Sequence, residues 1–302
     1  MKRLALFSLL LLAAACGRFD NAKGAGAHAE RIIVISQTYN EILWDLGAQQ
    51  DVVGVDFSST YPPAVKKVQT VGYHRALSAE GILSLKPTLI LHDGNIGPPQ
   101  VLQQLARLKI PTRSFAAKAN SIDGEKALIR EIGAYFHKEA KAGELCAKLD
   151  RDLAASLAEV KRYGGDRPKV AVLHFGRASN IYLVVGNGGK GDGGAAAQMV
   201  DWAGGRMAID KQGMERLASP EVIAKANPDV ILMTEFGFDR LGGSLDQIKA
   251  LPGIATSNAA RDNRIYRVEE HELMYFNPDT GASIARLAAR IHPGATPATP
   301  AK

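Results

Sequence analysis

The chain has 302 residues, 46% of them hydrophobic and 23% charged, with a formal net charge of +6. That balance is ordinary for a soluble globular protein, supplies a real core, and fits one large domain or two of ordinary size. Lys and Arg are scattered rather than gathered on one element, which argues against a nucleic-acid partner.

Residues 1–16 read as an export signal outside the fold. Met1-Lys2-Arg3 is a basic n-region, residues 4–12 are an apolar h-region, and Ala13-Ala14-Ala15 is a small-residue cleavage site. That apolar run is too short to span a bilayer. Cys16 follows the alanines at once, where a bacterial lipoprotein signal carries its lipidated cysteine. The expected location is therefore outside the cytoplasm, with the mature protein either free or anchored to a membrane through Cys16. Residues 17–30 are a Gly/Ala-rich tether. With Cys16 lipidated or removed, Cys146 stands alone, so no intramolecular disulfide can form, and no CxxC or Cys/His cluster suggests structural zinc. Cys146 falls on the apolar side of a helical pattern and reads as a small core residue.

The fold begins with residues 31–36 (RIIVIS), a buried strand. Residues 39–46 have helical spacing and stop at Gly47; residues 52–55 form a short strand, and Tyr61-Pro62-Pro63 forces a loop. Residues 72–91 carry Tyr73 and Arg75, a short helix opened by Ser78 and Glu80, then Pro87 and a buried strand at 89–91. Pro98-Pro99 opens a helix to Leu108, followed by a strand near 112–115 and a helix to about Tyr135. Strands alternating with helices predict a mainly parallel sheet covered on both faces.

Residues 138–163 break that rhythm. They contain no proline, a single glycine at Gly143, and an apolar stripe at Leu145, Leu149, Leu153, Leu157 and Val160, ending at Gly164-Gly165. A helix of that length reaches about 39 Å and predicts a rigid spine rather than a flexible linker. Strands at 169–173 and 181–185 follow, then a glycine loop at 186–194 and a helix through Trp202. A loop holding Arg240, a helix near 244–250, a strand at 264–268 and a final helix from about Asp279 to Ile291 complete the order. The Pro/Ala-rich residues 293–302 are expected to be disordered.

The helix-and-strand phrase at 78–91 returns 141 residues later, at 219–232. Ser78, Glu80, Ile82, Pro87, Ile90 and Leu91 meet Ser219, Glu221, Ile223, Pro228, Ile231 and Leu232, six identities in 14 positions. The repeat predicts an α/β fold of two similar lobes with mainly parallel sheets joined by one long rigid spine helix. The lobes are expected at 31–137 and 166–292, with the spine at 138–165, and Tyr73 and Arg75 facing the space between them.

Each candidate for chemistry has a structural rival. Residues 186–191 (GNGGKG) fit GxGxxG between a strand and a helix, with Asp210 nineteen residues beyond the motif, which is the dinucleotide pattern. Asp192-Gly193-Gly194 lengthen that loop beyond a tight turn, so amides meeting an anion at the next helix start fit better. No GxSxG or HExxH motif supports hydrolase chemistry. Glu80 and Glu221 suit the macrodipole at helix starts after the caps Ser78 and Ser219, yet that does not explain one acid at the same place in both lobes. His174, at the end of the first strand of the second lobe, lies where open α/β sheets bind ligands. Tyr73 alone would be a packing residue, but with Arg75 two positions on a ligand role becomes sensible: a phenolate is a hard donor for ferric iron, and a cation beside it favours the charged form.

The export signal, two α/β lobes and spine helix resemble the substrate-binding proteins of ABC importers for vitamin B12, siderophores and haem. More narrowly, residues 71–87 (VGYHRALSAEGILSLKP) resemble the haem-binding members. That resemblance implies that Tyr73 is the axial ligand of ferric haem, that Arg75 hydrogen-bonds to it, and that Glu80 and Glu221 dock on arginines of an inner-membrane permease with its ATPase. It implies a monomeric carrier in the periplasm and no catalysis. The family's Gly-Pro-Arg before the last helix is replaced by Asn277-Pro278-Asp279 here, and the glycine loop is longer, so His174 and Arg240 are the candidates for second-lobe contacts. Rival readings are a corrinoid or ferric-siderophore carrier and an exported dinucleotide-dependent enzyme.

Overall fold

A computed structural model describes residues 30–165, 167–177, 180–184, 194–209, 214–216 and 220–294. The export segment, most of the glycine loop with its GxGxxG motif, Asp210, Ser219 and residues 295–302 lie outside these. Apart from Glu30, every described residue belongs to one compact unit, Arg31–Lys302.

Its first half builds one sheet from β1 (Ile32–Ile35), β2 (Val52–Val55), β3 (Gln69–Thr70), β4 (Leu89–His92) and β5 (Thr112–Arg113). The order is β3-β2-β1-β4-β5, with every pairing parallel. Parallel neighbours need crossovers, supplied here by α1 (Gln37–Leu46), α2 (Ala79–Leu83) and α3 (Pro99–Arg107), and α4 (Ile122–Tyr135) follows β5. Ser36 opens α1 by accepting the Tyr39 N–H at 3.3 Å, and Ser78 opens α2 by accepting the Gly81 N–H at 3.0 Å. Side chains alternate across a strand, so the apolar run of β1 feeds two cores. Ile32 and Val34 pack with α1 and α4 residues such as Ile42 and Leu128, whereas Ile33 and Ile35 pack with Ile82 of α2 and Leu105 of α3.

The helix expected at 138–163 is α5 (Glu139–Tyr163), with Lys138 as its cap residue. Its two halves serve different cores. Ala142, Leu145, Cys146 and Leu149 join the core that contains β1 and α4, while Leu153, Val160 and Tyr163 pack against the core of the second half. Cys146 is buried there, as its place on the apolar stripe predicts.

The second half comprises β6 (Lys169–Arg177), β7 (Asn180–Val184), α6 (Gly194–Trp202), β8 (Arg206–Met207), β9 (Met214–Arg216), α7 (Glu221–Ala226) and β10 (Val230–Thr234). It continues through α8 (Glu235–Arg240), α9 (Leu245–Lys249), α10 (Asn258–Arg261), β11 (Ile265–Val268), α11 (Glu270–Leu273) and α12 (Thr280–Ile291). The sheet order is β11-β10-β6-β7-β9, with β8 also parallel to the start of β6. Laid beside the first sheet, β6 takes the place of β1, β10 of β4 and β11 of β5. The repeated phrase is thus α2-β4 in one half and α7-β10 in the other, and both strands sit beside the first strand of their sheet.

Two expectations are corrected. The strand holding His174 does not end there: it runs on to Arg177 and turns back as an antiparallel hairpin into β7. The link to β7 is too short for a parallel crossover. Arg240 is in no loop but is the last residue of α8. The residue before α7 is Pro220, and the cap expected from Ser219 lies outside the described residues. Among the described residues no helix is long and apolar enough to cross a membrane.

Candidate ligand site between the two sheets

Ligands of open parallel sheets bind beyond the carboxyl ends of the strands, and here the two sets of carboxyl ends meet. On the first sheet the chain leaves β2 into Asp56-Phe57, leaves β3 towards Tyr73, and leaves β4 towards Asn95. Gly72 sits at φ 110, a backbone region that L side chains rarely adopt, and turns the chain so that Tyr73 follows at the sheet edge. Backbone bonds pin this loop: Phe57 N–H donates to Gly72 O at 2.8 Å, Ala76 N–H to Tyr73 O at 2.8 Å, and Gly97 N–H to His74 O at 2.8 Å.

A polar chain runs behind Tyr73. Buried Asp56 accepts the Ser58 N–H at 3.0 Å and the Ser59 hydroxyl at 2.7 Å. His74 places Nδ1 3.4 Å from Asp56 Oδ2 and 3.2 Å from Ser58 Oγ. Its Nε2 lies 3.1 Å from Asn95 Nδ2, and Asn95 Oδ1 accepts from Arg75 Nε at 3.1 Å. An amide donating to Nε2 leaves the ring proton on Nδ1, facing Asp56. Asn95 therefore couples the imidazole to the guanidinium. The Tyr73 ring rests on His74 with centroids 4.4 Å apart, yet 44% of Tyr73 remains exposed. An exposed phenol on a pinned loop is a donor available to a ligand.

The second sheet presents acids. Glu235 begins α8 directly after β10, and Glu270 begins α11 soon after β11. Glu235 Oε2 accepts the Glu270 backbone N–H at 2.6 Å, and Tyr275 donates its hydroxyl to Glu270 Oε1 at 2.6 Å. His174 stands where β6 leaves its parallel neighbour β10, with Nδ1 3.1 Å from Thr234 Oγ1 and Nε2 3.8 Å from Glu270 Oε1. Burial pushes the Glu235 carboxyl up to about 7, with the Glu269 charge adding to it. Burial likewise lifts Glu270 to about 7 against its bond from Tyr275, with Glu235 and Asp56 adding repulsion. The Tyr275 phenol is driven well above its ordinary range by burial and by the Glu270 charge.

Contacts tie the two edges together. Thr60 Oγ1 donates to Glu235 Oε1 at 3.4 Å, and Phe57 and Phe236 place their rings 6.1 Å apart. His271 stacks on Tyr61 at 3.7 Å and 10°, and its Nδ1 lies 3.8 Å from Glu41 Oε2. Burial raises the Glu41 carboxyl well above its usual range and lowers His271. Both shifts favour the uncharged forms, which lessens the cost of burying the pair between the halves.

Of the residues singled out in the sequence, Tyr73 and Arg75 share the pinned loop at this site, and His174 lies on the facing wall. Arg240 is exposed at the far end of α8. Glu80 is exposed in the first turn of α2, beside a shallow groove of about 760 Å³ that Leu83, Arg107 and Leu108 help to line. Glu221 is exposed as the first residue of α7. The sequence reading missed Asp56, His74, Asn95, Glu235, Glu270 and Tyr275. All but His74 and Tyr275 follow closely on a parallel strand, so inspecting each strand's carboxyl end would have found them.

Residues 32–271 match the model of a family described as periplasmic binding protein, and the chain belongs to that family. Among solved structures it is similar to the periplasmic haem-binding protein RhuT from Roseiflexus sp. RS-1 in apo form. The two are 32% identical with a TM-score of 0.78, over 89% of this chain and 100% of that one. Among curated proteins it is 26% identical to an uncharacterised ABC transporter substrate-binding lipoprotein, YvrC, of Bacillus subtilis, over 87% of this chain and 80% of that one. It is also 32% identical to the vitamin B12-binding protein of Yersinia pestis, over 49% of this chain and 51% of that one.

Proposed function

We propose that this protein is a haem carrier. It captures ferric haem between lobes formed by residues 31–137 and 166–292, and passes it to an inner-membrane ABC permease coupled to an ATPase. It works in the periplasm, free or held to a membrane through Cys16, and carries out no catalysis. The observation that carries the reading is Tyr73: an exposed phenol on a pinned loop at the sheet edge, with Arg75 held by Asn95. Tyr73 supplies the axial oxygen to iron, with Arg75 two positions on in the same loop. The likeness to a protein named as haem-binding supports this substrate. Glu80 and Glu221, exposed at the starts of α2 and α7, contact the permease.

On the facing wall His174, the candidate second contact, places Nδ1 by Thr234 and turns Nε2 towards Glu270. The acids there favour a second reading. Glu235 and Glu270 at about 7 can donate hydrogen bonds near neutral pH, which would suit the amide-rich rim of a corrinoid, and one relative is named as vitamin B12-binding. Absorbance titration separates the two. Haem binding should give a Soret band and a phenolate-to-iron charge-transfer band, and Tyr73→Phe should abolish the second while keeping the ring packing. A Tyr73→Phe protein with the wild-type coordination spectrum would remove the axial assignment, and tight cobalamin binding without haem binding would establish the corrinoid.

A further inference from the structure

We propose that the second lobe carries another ligand site, an anion pocket for a phosphate group, at the edge of its sheet opposite the interlobe face. The cavity measures about 420 Å³ and is lined by Arg167, Pro168, Arg206, Asp229 and Arg264. Its position follows from the topology. Arg167-Pro168 immediately precedes β6, Arg206 begins β8, Asp229 immediately precedes β10, and Arg264 immediately precedes β11. These four strands are mutually parallel, so four strand starts converge, three of them bringing an arginine and the fourth Asp229. His174 and Thr234 lie towards the other ends of β6 and β10, about 15 Å away along the strands. The pocket is therefore separate from the site around Tyr73.

Backbone carbonyls hold the guanidinium groups without neutralising them. Arg167 Nη2 donates to Gly205 O, Arg206 Nε donates to Arg167 O at 3.1 Å, and Arg264 Nη2 donates to Ile291 O. Arg167 also pairs with Asp201; among the described residues no carboxylate lies within ion-pair distance of Arg206 or Arg264, although the Arg264 charge acts on Asp229 and Asp262. The one acid in the lining is already committed: Asp229 accepts the Lys169 N–H at 2.9 Å and the Asn258 amide at 2.8 Å. Arg264 Nε is shielded from solvent and has no acceptor. Guanidinium forks match the oxygens of a phosphate, and the cavity exceeds one inorganic phosphate, leaving room for an esterifying group.

The test uses the mature protein with inorganic phosphate, titrated by calorimetry at constant ionic strength against chloride. Phosphate should bind and raise the melting temperature. The double variant Arg206→Gln/Arg264→Gln should weaken binding about tenfold or more, whereas Arg75→Gln should leave it unchanged and the double variant should still bind haem. Phosphatidylglycerol vesicles, compared with phosphatidylcholine, identify the source: co-sedimentation lost in the double variant assigns a lipid headgroup, and binding of inorganic phosphate alone assigns a soluble phosphate. Should the double variant fold poorly, Arg206→Gln alone must weaken phosphate, and phosphate must shift arginine Nε–H resonances in the wild-type protein. The proposal is overturned if neither phosphate nor phosphatidylglycerol binds the wild type, if binding survives the arginine substitutions, or if Arg75→Gln abolishes it.

Discussion

Gly281 is the second residue of α12, and replacing it with alanine probes how the long helix is fastened to the second lobe. A Cβ at this position would lie 2.4 Å from the Leu153 backbone N, 2.5 Å from the Asp152 carbonyl carbon and 2.6 Å from Asp152 Cβ. Carbon contacts rest at about 3.5–4.0 Å, so the overlap is about 1 Å, and two of the three atoms struck are backbone of α5. Relief requires parting α12 from α5. That parting also lengthens the bond from Ser156 Oγ to Gly281 O, now 2.8 Å. Alanine improves helix propensity by about 1 kcal/mol, but overpacking costs about 1–3 kcal/mol and the strained hydrogen bond about 1 kcal/mol. The net expectation is a loss of about 1–3 kcal/mol. The chain's two tryptophans divide the assay: Trp44 packs against the first-lobe core and Trp202 against the second-lobe core. In a Trp44→Phe background, urea unfolding followed through Trp202 should lose about 0.5–1 M in midpoint. An unchanged or raised midpoint would mean that α12 and α5 do not meet as closely as described, and would refute the reasoning.

Other consequences can be checked alongside. Glu270 is lifted from 4.5 to about 7, so between those values the folded chain holds a proton that the unfolded chain has released. Its contribution to stability is present below about 4.5 and is lost as pH rises to 7, a swing of about 3 kcal/mol. Glu270→Gln should flatten the fall in melting temperature between pH 5 and 8; an unaltered slope would assign the proton elsewhere. Glu125 in α4 is fully buried, and neither carboxyl oxygen has a partner. Glu125→Leu should therefore raise stability at pH 7 by about 1–3 kcal/mol in chemical denaturation. Glu80→Ala with Glu221→Ala should leave haem titration intact and impair delivery to permease-containing vesicles, more so at low salt; full delivery would reduce both to acids that suit a helix start. Arg75→Ala should keep bound haem while altering its phenolate-to-iron charge-transfer band, and an unchanged band would separate Arg75 from the axial ligand.

What the sequence determined was local and periodic. The run at residues 31–36 could only be a strand buried on both faces, and the structure divides its alternate side chains between two cores. The stripe from Leu145 to Val160 specified one long helix, and the phrase shared by 78–91 and 219–232 specified equivalent elements, because caps, stops and apolar spacing act within a few residues of one another. Tyr73 and Arg75 were legible for the same reason, being two positions apart in one loop. The facing wall was not. Glu235, Glu270 and Tyr275 come from two separate segments and meet His174, the one member of the wall named from sequence, only when β6, β10 and β11 align their ends. Helical spacing cannot foresee that Arg240 closes a helix whose first residue, Glu235, also accepts the N–H of another helix start. Nor could local pattern bring Arg167, Arg206 and Arg264 to one pocket: strand order decides which residues become neighbours, and strand order is set by long-range packing.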